Sequence, residues 1–122
     1  MYAYTENKDQ VIELARKCLA GHGEKSEPLL VYSFKDDNEA HDDDLQERLE
    51  AEFERAWREV TERLAEVFGP ALVGEDYEET RWVPLSGVGG ASSWHTEHGR
   101  LWVAYAHEDR ETPYLLLVGK LP

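Results

Sequence analysis

Leu45-Gln46-Glu47-Arg48-Leu49-Glu50-Ala51-Glu52-Phe53-Glu54-Arg55-Ala56-Trp57-Arg58-Glu59-Val60-Thr61-Glu62-Arg63-Leu64-Ala65-Glu66-Val67-Phe68 contains neither Gly nor Pro. At 100° per residue, Leu45, Leu49, Phe53, Ala56, Trp57, Val60, Leu64, Val67 and Phe68 fall within one arc of roughly 140°. The spacing predicts a single amphipathic helix over residues 45–68, about 36 Å long. Asp44 followed by Glu47 fits a capping box, and Gly69-Pro70 is a stop. Arg55/Glu59 and Arg58/Glu62 attract at i,i+4 spacing, whereas Glu50/Glu54 repel. One apolar arc on a long rod needs a second layer to cover it.

Upstream, Val11, Leu14, Ala15, Cys18 and Leu19 recur at helical spacing, and Gly21 and Gly23 end the pattern. Asn7 and Gln10 offer a capping box, with Thr5 as a rival cap, so a first helix is expected over about 7–20. Tyr2 to Thr5 is either a short strand or a lead-in. Pro28 opens a strand over Leu29 to Phe34, and Lys35 to Asp44 reads as a polar, acidic loop.

Downstream of Pro70 the helical pattern disappears. Ala71-Leu72-Val73 and Arg81-Trp82-Val83 are candidate short strands, the second limited by Pro84 to an edge or a strand end. Ser86 to Ser93 reads as a glycine- and serine-rich connection. Ser93 to Thr96 and Arg100 to His107 form a hairpin around Glu97-His98-Gly99, in which Trp94 and Trp102 would face each other. Leu101 to Ala106 is apolar on both faces, as a central strand is, and Tyr114 to Val118 is the last strand. The expected fold is α+β: two helices, one long, on one face of an antiparallel sheet of about four strands, with residues 1–122 as one domain.

The chain has 122 residues, 26 acids and 13 Lys or Arg, a formal net charge of −13. Residues 36–79 hold 17 of the acids and 4 Arg, so 4 − 17 = −13 accounts for the whole imbalance. Such a chain repels nucleic acid and anionic membrane and attracts a basic partner. The single cysteine, Cys18, excludes an internal disulfide. With no signal-peptide pattern at the start and no long apolar run, a cytoplasmic home is expected.

The pieces of an active site are scarce. His95, His98 and His107 are metal-ligand types, but the hairpin register puts His107 opposite Gly89, roughly 20 Å of strand from His95. Ser86-Gly87-Val88-Gly89-Gly90 lacks the Lys and the following helix of a phosphate loop. Cys18 lies on an apolar stripe, where a buried small hydrophobe is the default. No cofactor, no metal and no catalytic residue is expected.

The segment Trp102 to Leu117, a strand, a His107-Glu108-Asp109 turn, Pro113 and a final apolar strand, resembles small bacterial toxin-immunity-type proteins. The helix break at Val67-Phe68-Gly69-Pro70 ahead of Trp82 is similar too. That resemblance, over the last half of the chain, implies a cytoplasmic inhibitor that binds a cognate toxin, often a basic nuclease, through acidic residues. The candidate partner-binding residues are Asp36, Asp37, Glu39, Asp42, Asp43 and Asp44 before the long helix, and Glu75, Asp76, Tyr77, Glu78 and Glu79 after it. The alternatives are a homo-oligomeric structural domain and a metal-dependent hydrolase using His95 and His107.

Overall fold

A computed structural model describes residues 4–6 and 10–122. The elements in order are β1 (Tyr4–Glu6), α1 (Val11–Ala20), β2 (Lys25–Tyr32), α2 (Asp37–Ala40), α3 (Asp43–Phe68), β3 (Leu72–Gly74), α4 (Tyr77–Thr80), β4 (Val88–Thr96), β5 (Gly99–Ala106) and β6 (Tyr114–Leu121). The strands form one sheet in the order β1-β2-β6-β5-β4-β3, antiparallel throughout. Among the described residues the architecture is therefore α+β, with six strands where about four were expected and two short helices beyond the two foreseen.

The long helix forms as the spacing dictates, except that Val67, expected on its apolar stripe, is exposed in the last turn. Leu45, Leu49, Phe53, Ala56, Trp57, Val60 and Leu64 are buried along one side of α3. They pack on Leu101, Val103, Tyr105, Leu116 and Val118 of the two central strands, together with Val11, Ala15 and Leu19 of α1. Gly69 ends α3 with φ of 90°, and its N–H bonds the Ala65 carbonyl at 2.9 Å. The start differs from the expected capping box. Asp42, not Asp44, is the cap, accepting from the Leu45 N–H at 3.0 Å.

The start of α1 at Asn7 lies outside the described residues. Its end is held by the Gly21 N–H on the Cys18 carbonyl, and by the buried Lys120 ammonium, which donates to the Gly21 carbonyl. β2 begins at Lys25, ahead of Pro28, and ends at Tyr32. A bulge between Pro28 and Leu30 lets proline sit within an inner strand.

Two further expectations fail on hydrogen bonding and close packing. Arg81-Trp82-Val83 is a turn: the Val83 N–H bonds Thr80 and the Leu85 N–H bonds Val83, so no ladder can form there. This segment lies across the sheet face opposite α1 and α3, where Val83, Trp82 and Leu85 cover Trp102, Ala104 and Ala91. Most of Ser86 to Ser93 is strand β4, not a connection. Its glycines make room for rings. An added Cβ on Gly90 would lie 2.7 Å from Trp57, and one on Gly89 would lie 2.5 Å from Tyr105. The β4–β5 hairpin turns at Glu97-His98 as foreseen, with Gly99 at φ of 128°. Its register pairs Trp94 with Leu101 and Ser93 with Trp102. Alternation then sends Trp94 to the helix side and Trp102 to the other side, so they do not face each other.

Candidate interaction surface

The acidic residues before α3 are placed by helix starts. Asp36 caps α2, accepting from the Glu39 N–H at 2.9 Å. Asp42 caps α3. Glu39 accepts from the Tyr32 hydroxyl at 2.6 Å, and Asp43 pairs with Arg110. Asp36, Glu39, Asp42 and Asp44 border an open depression of about 540 Å³ that also contains Lys35 and Arg48, and Asp43 lies outside its lining. Within the stretch expected as loop, residues 37–40 thus form a short helix with Asp36 as its N-terminal acceptor, and Asp42 serves the start of α3 in the same way.

The second group sits on the turn from β3 into α4. Asp76 caps α4, accepting from the Glu79 N–H at 2.8 Å. Glu75 pairs with Arg58 at 2.7 Å, and Glu78 lies 3.5 Å from Arg81. Arg58 also holds Glu54 at 3.0 Å, so it turns toward Glu54 and Glu75, not toward Glu62. Hydrogen bonding to Glu54 and the nearby Glu75 charge raise its pKa further. The Glu75–Arg58 pair moves this group back along α3. It sits about 22 Å along the helix axis from Asp43, closer than the far end of a 36 Å rod.

Apolar exposure concentrates beside this second group. Tyr77 is 75% exposed, Leu72 59% and Val73 52%. Of the four tryptophans, Trp57, Trp94 and Trp102 are buried, and Trp82 is half-buried beside α4, its indole N–H donating to the Glu79 carbonyl at 2.8 Å. Sequence reasoning had no reason to single out Leu72 and Val73. An Ala-Leu-Val run reads as core, and only the place of β3 at the end of the strand order exposes it.

β3 pairs with β4 on one side only, Leu72 with Ser93, Val73 with Ser92 and Gly74 with Ala91. Cross-strand partners point to the same face. Ser92 is on the helix side, where its hydroxyl meets that of Thr61 at 2.8 Å. Ser93 is on the other side, where it accepts from Arg100 at 3.1 Å. Each face carries a cleft beside β3. The helix-side cleft, about 180 Å³, is lined by Trp57, Arg58, Thr61, Glu62, Val73 and Ser92. The opposite cleft, about 60 Å³, includes Leu72, Trp82 and Arg100. The indole N–H of Trp57 and the Nε–H of Arg100 are buried without an acceptor. The Arg100 guanidinium lies 3.5 Å over the Trp82 ring, and burial lowers its pKa.

The groups considered for chemistry are dispersed. His107 bonds the Gly87 carbonyl through its backbone N–H and so stands opposite Gly87, not Gly89. Eight strand residues, about 26 Å, separate that position from His95. Among the described residues no group of three or more His, Cys, Asp and Glu is placed to hold a metal ion. The Cys18 thiol is buried, which raises its pKa. No helix among the described residues is long and apolar enough to cross a membrane. Comparison with protein families, curated proteins and solved structures finds no match.

Proposed function

We propose that this chain is an acidic binding protein that docks on a basic protein partner and masks it, in the manner of an immunity protein against a toxin or nuclease. The observation that carries the reading is the company kept by Tyr77, Leu72 and Val73. Three exposed apolar side chains lie within eight residues that also hold Glu75, Asp76, Glu78 and Glu79. Leu72 and Val73 offer apolar contact on the two faces of the β3 edge, and the charged residues beside them speed encounter. A hydration coat would need the acids but not these apolar side chains. The acids before α3 contribute charge to the approach; those after β3 border the contact itself.

The test is kinetic. Affinity capture from the native host at low salt yields candidate partners, and stopped-flow mixing then gives the association rate over a range of ionic strength. The rate should fall steeply with salt, and Tyr77→Ala should speed dissociation. An association rate indifferent to salt refutes the reading.

A further inference from the structure

We propose that the outer edge of β3 receives an extended segment of the basic partner as a seventh strand, whose alternate side chains enter the clefts on the two faces of the sheet. This rests on the reading above and adds to it the mode of binding.

The edge is open. β3 ends the strand order, and its side chains are more than half exposed at Leu72 and Val73. Folded proteins ordinarily protect such an edge with Lys, Pro or a covering segment. Here two large apolar residues occupy it. A strand added beside β3 would continue the ladder, with successive side chains on opposite faces. Those are the two places where a cleft exists. Val73 borders the one with Trp57, Thr61 and Ser92, and Leu72 borders the one with Trp82 and Arg100. Each cleft is lined by a side chain with a buried N–H lacking an acceptor, Trp57 Nε1 on one face and Arg100 Nε on the other.

Charge selects the occupant. Two copies, each with a formal net charge of −13, repel one another on approach. A strand carrying Lys or Arg meets Asp76 and Glu79 favourably, whereas Glu75 and Glu78 already face Arg58 and Arg81. Close packing also holds the frame rigid: a Cβ on Gly74 would lie 2.6 Å from Glu79, so α4 stands on the sheet face away from α3 at the end of β3 and not across its outer edge.

The experiment uses the full chain and a short peptide alternating Lys with Val. The control is the same peptide N-methylated at every second residue on one edge, which keeps charge and side chains but removes ladder donors. Hydrogen exchange and heteronuclear NMR titration report where each binds. The unmodified peptide should protect backbone amides at 72–74 and bind about tenfold or more tightly than its methylated form. Leu72→Ser with Val73→Ser, both exposed and charge-neutral, should abolish that difference. Equal binding of the two peptides, or perturbation confined to residues 36–44, overturns strand addition while leaving charge-guided docking intact. Absence of salt-sensitive binding by either peptide overturns both. A dimer in sedimentation that dissociates in the double Ser variant overturns it in favour of a second copy.

Discussion

Gly90→Ala tests whether the glycines of β4 are there to seat the aromatic rings of α3 and β5. An added Cβ at Gly90 lies 2.7 Å from Trp57 Cζ3, 2.8 Å from Cη2 and 3.0 Å from Tyr105 Cε1. Carbon atoms pack at about 3.5–4.0 Å, so the methyl overlaps two rings by about 0.5–1 Å. Both rings are enclosed by the core, Trp57 being 1% exposed and Tyr105 6%, so a shift of either disturbs its packed neighbours. Overpacking of this kind costs about 1–3 kcal/mol. Equilibrium urea unfolding followed by far-ultraviolet circular dichroism reads it directly. With a slope of about 1–3 kcal/mol per molar, the midpoint should drop by about 0.5–2 M at unchanged slope. The control is the same change in a Trp57→Leu background, where the smaller side chain leaves room for the methyl. Gly90→Ala should cost at least ~1 kcal/mol less there, a coupling expected only of residues in contact. A loss under ~0.5 kcal/mol in the natural background, or an equal loss in both, refutes the packing argument.

Asp42→Ala should cost about 1 kcal/mol through loss of the α3 cap, whereas Asp44→Ala should leave stability within about 0.5 kcal/mol; calorimetry on the pair separates the two candidate caps. Burial lowers the His107 pKa from its usual 6.5, against the raising influence of a backbone hydrogen bond with Thr112 and the charges of Glu50 and Asp109, with Arg110 also lowering it. The unfolded chain then takes up a proton that the folded chain resists. This contribution is present above the unfolded value and is lost as pH falls below about 6.5 toward the folded value. Urea midpoints from pH 7.5 to 5.5 should therefore fall more in the natural protein than in His107→Gln; parallel profiles would remove His107 from the account. Cys18, buried with its thiol pKa raised, should react with iodoacetamide only at the rate of opening, and rapid labelling under native conditions would contradict its burial.

What the sequence made legible were features carried by periodicity and punctuation. The α3 stripe, the α1 stripe and the Glu97-His98-Gly99 turn depend on residues close together in the chain, and each lies where the spacing put it. What was hidden depends on partners distant in the chain. Gly89 and Gly90 looked like a loop because the rings that require them come from residues 57 and 105. Arg81-Trp82-Val83 has the composition of a strand, yet α4 hands it Thr80 as a local hydrogen-bond acceptor before any ladder can form. The candidate surface divides in the same way. Its acids were visible in the charge count, but the exposure of Leu72, Val73 and Tyr77 follows from the place of β3 at the end of the strand order.

The acidic residues also separate two properties that a charge count merges. Asp36, Asp42 and Asp76 each spend a carboxylate oxygen on a backbone N–H, so their hydrogen-bonding capacity is partly used. Their charge is not used, because an N–H carries none; the helix end opposes it by only about half a charge within the first turn. Glu75, Glu78 and Asp43 differ, since each faces an arginine that offsets it. Capping therefore fixes where the negative charge sits without removing it, and pairing removes it locally. The field reaching an approaching partner is dominated by the caps and by residues such as Asp37 and Asp44, over a screening length of about 8 Å. Specific contact has to come from groups with free surface, which on the β3–α4 side are Leu72, Val73 and Tyr77. Neutralising a cap should therefore slow association and lower stability together, whereas Tyr77→Ala should act on dissociation alone.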